Sequence, residues 1–159
     1  MTPEMTNNNS LDINQIIRHQ RNRYPVLLID KIISVDPGKS AKGVKNFTYN
    51  EWFFPGHFDD EPNVPGFVLI ESLVQTFILT FLCQDEYSGM KTNFVSINNI
   101  KFKRKVVPGD SLVIDATLHS FKRGLAFGSA IANVDNELTV TADFVVAIPD
   151  ILEKFKPGV

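Results

Sequence analysis

Cysteine is nearly absent. Cys83 stands alone in 159 residues, so no disulfide can close within the chain, and a reducing compartment is its natural setting. An excess of one charge is absent too. The net charge is -2, which gives neither nucleic acid nor an acidic membrane surface a reason to bind. The opening MTPEMTNNNSLD has no basic segment and no apolar run. It is no signal peptide, and it reads as a frayed polar tail over residues 1–10. Beyond those asparagines there is no low-complexity block, and there is no repeat. The longest apolar run, residues 67–83, is about the shortest that could cross a bilayer, and it carries Glu71, Gln75 and hydroxyl groups. A buried core helix is expected there, in a cytoplasmic protein.

What is present is enough for one domain over residues 11–159. Hydrophobic residues make up 43% of the chain and aromatics 11%, so a core can form. LDINQIIRHQRN, with Asp12 near its start, predicts a short helix. YPVLLIDKIISVD predicts a strand, the DPGK turn closes it, and SAKGVKNFTY returns as its antiparallel partner. NEWFFPGHFDDEPNVPG holds three prolines and two glycines in seventeen residues. It also holds Trp52, Phe53, Phe54 and Phe58, which argues for an ordered loop. The 67–83 run follows as a helix buried on most sides. NFVSINNIKFKRKVV alternates Phe94, Ser96 and Asn98 against Val95, Ile97 and Asn99. Three more strands follow, SLVIDATLHSF, LAFGSAIANV and ELTVTADFVVAI, joined by KRG and by DNE, with Asp135 and Asn136 at the second turn. The order is helix, two strands, long helix, four strands. That is an α+β fold in which one antiparallel sheet wraps a buried helix, and its edge strands invite a second copy.

Two side chains break the pattern. His19 and His119 sit in polar surroundings and read as solvated surface histidines. His57 lies in the aromatic loop before the long helix. It is either a base or a loop histidine bonded to a backbone carbonyl. Glu71 sits in an apolar helix with Phe67, Val68, Val74 and Gln75 at contact spacing, and with no lysine or arginine in reach. It either points to water or occupies a dry pocket that raises its pKa. Gln75, four residues on, is placed to hold its carboxyl. Pro65-Gly66 opens the helix, and its free N–H groups suit a carbonyl oxygen that gains negative charge. A base, an acid and an oxyanion donor around one helix start suit β-elimination beside a carbonyl.

Four blocks carry a resemblance: NRYPVLLIDKI, GHFDDEPNVPG, ESLVQ and KFKRKVVPGDSL. In order and spacing they resemble the FabZ-type β-hydroxyacyl-acyl carrier protein dehydratases, which have the hotdog fold. The likeness runs over residues 13–148. It implies dehydration of a 3-hydroxyacyl thioester to a trans-2-enoyl thioester, in fatty acid or related acyl or polyketide synthesis. It implies His57 as the base at C2, Glu71 serving the leaving hydroxyl, and the Gly66 amide polarising the thioester carbonyl. Pro65, Phe58 and Gln75 stand in support. The His57 and Glu71 that work together would come from different subunits of a dimer, and three such dimers assemble in many members. No cofactor or metal is implied, and the sequence has no His/Cys/Asp cluster that would hold one. The partner implied is acyl carrier protein, which is acidic. Lys101, Lys103, Arg104 and Lys105, with Lys122 and Arg123, are candidates to dock it. Strand alternation would put Lys101, Lys103 and Lys105 on one side.

The chain also departs from that family pattern. Asn22 replaces a histidine, Asp59 a proline and Val64 a methionine. Asn93 stands where an aromatic is common, and Asn98 where aspartate is. Asp59 adds negative charge two residues from the base, and Asn93 alters the gate of the acyl tunnel. Glutamate at position 71 matches the branch that dehydrates without isomerising. A related hotdog thioesterase or hydratase, or an idle carrier-binding subunit, are the rival readings.

Overall fold

The computed structural model describes residues 9–157. Residues 1–8 of the expected polar tail lie outside them. Helix α1 (Ile13–His19) starts where Asp12 accepts the Gln15 N–H at 2.9 Å, while the Gln15 side chain accepts the Asp12 N–H at 2.9 Å. The two bonds satisfy donors that the first helical turn leaves open. Strands β1 (Lys31–Asp36) and β2 (Ser40–Asn46) form the first hairpin. Helix α2 (Gly66–Leu82) follows the aromatic loop. Strands β3 (Asn93–Phe102), β4 (Ser111–Lys122), β5 (Leu125–Val134) and β6 (Glu137–Ala147) come next, and a short α3 (Pro149–Leu152), which the sequence pattern did not suggest, follows with a 3-10 turn (Glu153–Phe155). The six strands make one antiparallel sheet in the order β1-β2-β4-β5-β6-β3. It wraps α2 in the expected hotdog manner. Among the described residues, no helix is long and apolar enough to cross a membrane.

Two hairpins turn on paired left-handed residues. Arg123 and Gly124 (φ 54° and 81°) join β4 to β5, and Asp135 and Asn136 (φ 50° and 62°) join β5 to β6. Two-residue turns of that hand match the natural twist of the strands, as the KRG and DNE signals implied.

Two expected strands are shorter than their sequence suggested. β1 begins at Lys31, not near Tyr24. Residues 26–28 have no partner strand, and a side chain takes its place: Gln75 Nε2 donates to the Val26 carbonyl at 2.7 Å, and the Leu28 N–H donates to Gln75 Oε1 at 2.8 Å. β3 ends at Phe102, and its register shifts between Phe94 and Ser96 and between Asn98 and Lys101. Asn99 has φ 52° at the second shift. These bulges break the simple alternation, so Lys101, Lys103 and Lys105 do not form one row on a strand face.

α2 can lie against the sheet because glycine faces it. A Cβ at Gly43 of β2 would stand 2.6 Å from Thr76 Oγ1, and one at Gly128 of β5 would collide with the Phe77 ring. Phe77, Leu79, Phe81 and Leu82 are all fully buried, and Phe77 stacks on Phe144 of β6 with ring centroids 5.7 Å apart. The hydroxyls that interrupt the apolar run stay within the helix. Ser72 donates to the Val68 carbonyl (2.9 Å), Thr76 to Ser72 (3.1 Å) and Thr80 to Phe77 (2.7 Å). A polar group can be buried here because each already has its partner.

The Gly128 contact gives a test by urea unfolding. Gly128→Ala should lower stability by roughly 1–3 kcal/mol. Phe77→Leu in the same chain should return part of that loss, because the two sites share one contact.

Candidate active site

The aromatic loop is pinned at its start by a buried lysine. Lys45 lies on the inward face of β2 with Ala41 and Gly43. Its ammonium pairs with Glu51 at 2.6 Å and with Asp30 at 3.4 Å. Phe53 and Phe54 then turn into the core, edge to face at 4.8 Å. A single 3-10 turn (Phe54–Gly56) delivers His57, whose N–H bonds the Phe54 carbonyl at 3.1 Å. The other two aromatics of the loop stay outside. Trp52 is 45% exposed and Phe58 59%, and Phe58, with φ 65°, lays its ring 4.5 Å from the imidazole.

The loop fixes which nitrogen of His57 is free. Nδ1 lies 2.8 Å from the Asn63 carbonyl oxygen. A carbonyl oxygen only accepts, so Nδ1 carries the hydrogen and Nε2 of the neutral ring is left with a lone pair. The loop reading of this histidine is therefore the one observed, a ring bonded to a backbone carbonyl, and that bond leaves Nε2 able to accept a proton. After Asn63, the Val64 N–H bonds Val106 at 2.8 Å, and buried Pro65 caps α2. No acceptor among the described residues takes the Gly66 N–H. His57 and Gly66 line one cleft of about 440 Å³, closed on the far side by residues 102–106. A Cβ at Gly66 would come within 3.0 Å of the Phe102 ring.

Glu71 is not in that cleft. It lies half-buried one and a half turns into α2, and lines a separate, mostly apolar cleft of about 500 Å³ with Val26, Trp52, Phe67, Ile70 and Phe94. Its Oε1 accepts from Gln75 Nε2 at 2.7 Å and from Asn22 Nδ2 at 3.4 Å, while Oε2 meets no donor among the described residues. Burial pushes its pKa up, and the Gln75 N–H opposes that only in part. A neutral carboxyl here would carry its proton on Oε2, since Oε1 faces N–H groups.

The candidate docking cations scatter. Lys101 and Lys103 are exposed, and Lys103 borders the His57 cleft. Lys105 is paired with Glu61 at 2.7 Å. Arg104 is half-buried, spent on Asp110, Glu137 and the Val134 carbonyl. Lys122 and Arg123 sit at the other end of the sheet: Leu125 and Asn93 both pair with Ala147, whereas Phe102 pairs with Val140. Arg123 lies 5.7 Å over Phe155. The two basic segments therefore do not make one patch. His19 is not free at the surface as expected, for its Nδ1 lies 2.9 Å from Ser88 Oγ. His119 is exposed, 3.0 Å from Ser129. Asp59 is exposed, and Val64 is buried. The contact of Asn22 with Glu71 was not anticipated. Nor was Lys45, although its place on the period-two inward face of β2 was a signal in the sequence. Among the described residues, no three His, Cys, Asp or Glu side chains gather as metal ligands.

The FabA-like domain family matches residues 21–143. A 3-hydroxyacyl-(acyl-carrier-protein) dehydratase FabZ of Clostridium botulinum is 44% identical over 138 residues, which is 87% of this chain and 96% of that one. The enzyme of the same name from Clostridium novyi is 44% identical over 137 residues, 86% of this chain and 94% of the other. Among solved structures, the dehydratase heterocomplex ApeI:P of Xenorhabdus doucetiae superposes with a TM-score of 0.74 at 14% identity, over 87% of this chain and 95% of that one. The PaaI protein of E. coli does so with a TM-score of 0.57 at 14% identity, over 73% and 80%. At that identity the two structures speak for the fold alone.

Burial of Glu71 gives a pH-dependent test of stability. A carboxyl whose folded pKa is raised binds its proton more tightly when folded, so stability falls as pH rises from the unfolded value through the folded one. Glu71→Gln removes that loss. Its melting temperature should exceed the parent's at pH 7, and the two should converge near about pH 4.

Proposed function

The chain belongs to the FabA-like family, and on that premise we propose that it is a 3-hydroxyacyl-acyl carrier protein dehydratase of fatty acid synthesis, as its FabZ relatives are by name. The observation that carries the reaction to particular atoms is the Asn63 carbonyl on His57 Nδ1. It leaves Nε2 bare in the same cleft as the open Gly66 N–H. His57 Nε2 takes the C2 proton, and the Gly66 N–H receives the thioester oxygen as it gains charge. Glu71 gives the proton on Oε2 to the hydroxyl leaving C3, so that water and a 2-enoyl thioester result. Solvent then returns the proton from imidazolium to carboxylate.

The site is built from two copies of the chain. His57 and Glu71 line different clefts of one subunit, and Phe58, Phe67, Phe94 and Phe102 are each 45–61% exposed around them. β3 is paired on one side only. A second copy covers those rings, extends the sheet from that edge and brings its His57 to this Glu71. Carrier protein docks beside Lys101 and Lys103, whose charges complement its acidic surface. The dimer works in the cytoplasm, where its soluble carrier is found.

The purified protein, given 3-hydroxyacyl-acyl carrier protein, should yield the conjugated 2-enoyl thioester. His57→Ala should lower kcat about 10²- to 10⁴-fold, and Glu71→Ala should do likewise. Mixing the two inactive proteins should recover part of the activity, because some mixed dimers rebuild one intact site. Release of free thiol without enoyl product would replace this reading with thioester hydrolysis. Confirmed subunit exchange without recovery would place the pair within one chain.

A further inference from the structure

Two smaller clefts adjoin beyond Glu71. The first, about 190 Å³, lies between Glu71, Val74, Ile78 and Phe94. The second, about 260 Å³, takes in Leu82, Met90, Arg21 and Lys91. They share Asn22, Ile78, Thr92 and Asn93, so they are two stretches of one groove. Its floor is a single stripe of α2. Glu71, Val74, Ile78 and Leu82 follow at steps of three or four residues, and so face the same way. Leu82 lies on the order of 16 Å from Glu71 along the helix axis, a length that a chain of roughly ten to twelve carbons spans.

The groove changes character along that length. Val74, Ile78 and Leu82 give it an apolar, buried floor. Its rim passes through the amides of Asn22 and Asn93 and ends at Arg21 and Lys91, which are exposed. Neither makes an ion pair among the described residues. The Arg23 guanidinium, by contrast, is consumed by the carbonyls of Ile17, Gln20 and Asn22 at 2.7–2.8 Å. Apart from Glu71 at its inner end, no acid lines the groove to neutralise the two cations.

Resting on the dehydration proposed above, we propose that this groove holds the acyl tail, and that Arg21 and Lys91 select 3-hydroxyacyl chains ending in a carboxylate. A hydrocarbon lying on Val74, Ile78 and Leu82 must end among amides and cations. A methyl end gains nothing there, since it stays beside water. A carboxylate end meets two positive charges that have no other partner among the described residues. Exposed ion pairs are individually weak, so the selection is a preference of roughly 3- to 30-fold, weakened by salt.

Two carrier-bound substrates of equal length test this: 3-hydroxydodecanoyl and its counterpart with a terminal carboxylate. The parent protein should dehydrate the carboxylated chain with the higher kcat/KM. Arg21→Ala/Lys91→Ala should bring the ratio of the two values toward one, and raising the salt concentration should do the same in the parent. A parent that prefers the plain chain would overturn the selection while leaving the dehydration standing. So would a ratio that the double substitution does not move. Dehydration of neither chain would overturn the reaction itself, and this inference with it.

Discussion

The side chain of Gln75, wholly buried in α2, makes four hydrogen bonds, and the geometry of the Glu71 side follows from them. Its amide donates to Glu71 and to the Val26 carbonyl, and accepts from the Leu28 N–H and the Gln20 side chain. No donor or acceptor capacity is left over. One amide thus serves the backbone of residues 26–28 as a neighbouring strand would, and sets the direction of the Glu71 carboxyl in the same act. Buried backbone groups left without it would each cost about 1–3 kcal/mol. The wall of the Glu71 cleft, which includes Val26 and Leu28, is therefore coupled to the acid it surrounds.

His57 is held by different means. Its loop hangs from a buried ion pair at Lys45 and from two aromatic rings, and it ends on a backbone carbonyl. One subunit consequently offers two clefts of unlike character. One holds an imidazole with its hydrogen turned away from the cleft, bordered by Lys103 and Lys105. The other holds a half-buried carboxyl in mostly apolar surroundings, with no cation in the cleft lining among the described residues.

The order of α1, α2 and the six strands, the sheet wrapped on a buried helix, the turns and the anomaly of Glu71 were all legible in the sequence. They depend on local periodicity and on residues with one strong preference, such as Gly-Asp-Asn turns and an acid among apolar neighbours. What was not legible depends on side chains reaching across the fold. Residues 24–30 look like strand because they are apolar and branched, yet Gln75 takes the place of their partner. Lys101 to Lys105 look like one basic row because alternation is the default, yet bulges and the distant acids Glu61, Asp110 and Glu137 redistribute them. His19 was read from its neighbours in sequence, but its partner Ser88 lies sixty-nine residues away.

The irregular edge strand β3 has a consequence for solubility. A flat strand with Phe94, Val95, Ile100 and Phe102 in the open would template endless addition of like chains. β3 is not flat. Its two register shifts and the left-handed Asn99, tied to Asp143 at 2.7 Å, bend the ladder at fixed points. An incoming strand must match those bends, which an arbitrary flat stretch of β-structure cannot do. The same kinks that spoil the alternation thereby make the edge a poor template for fibre growth.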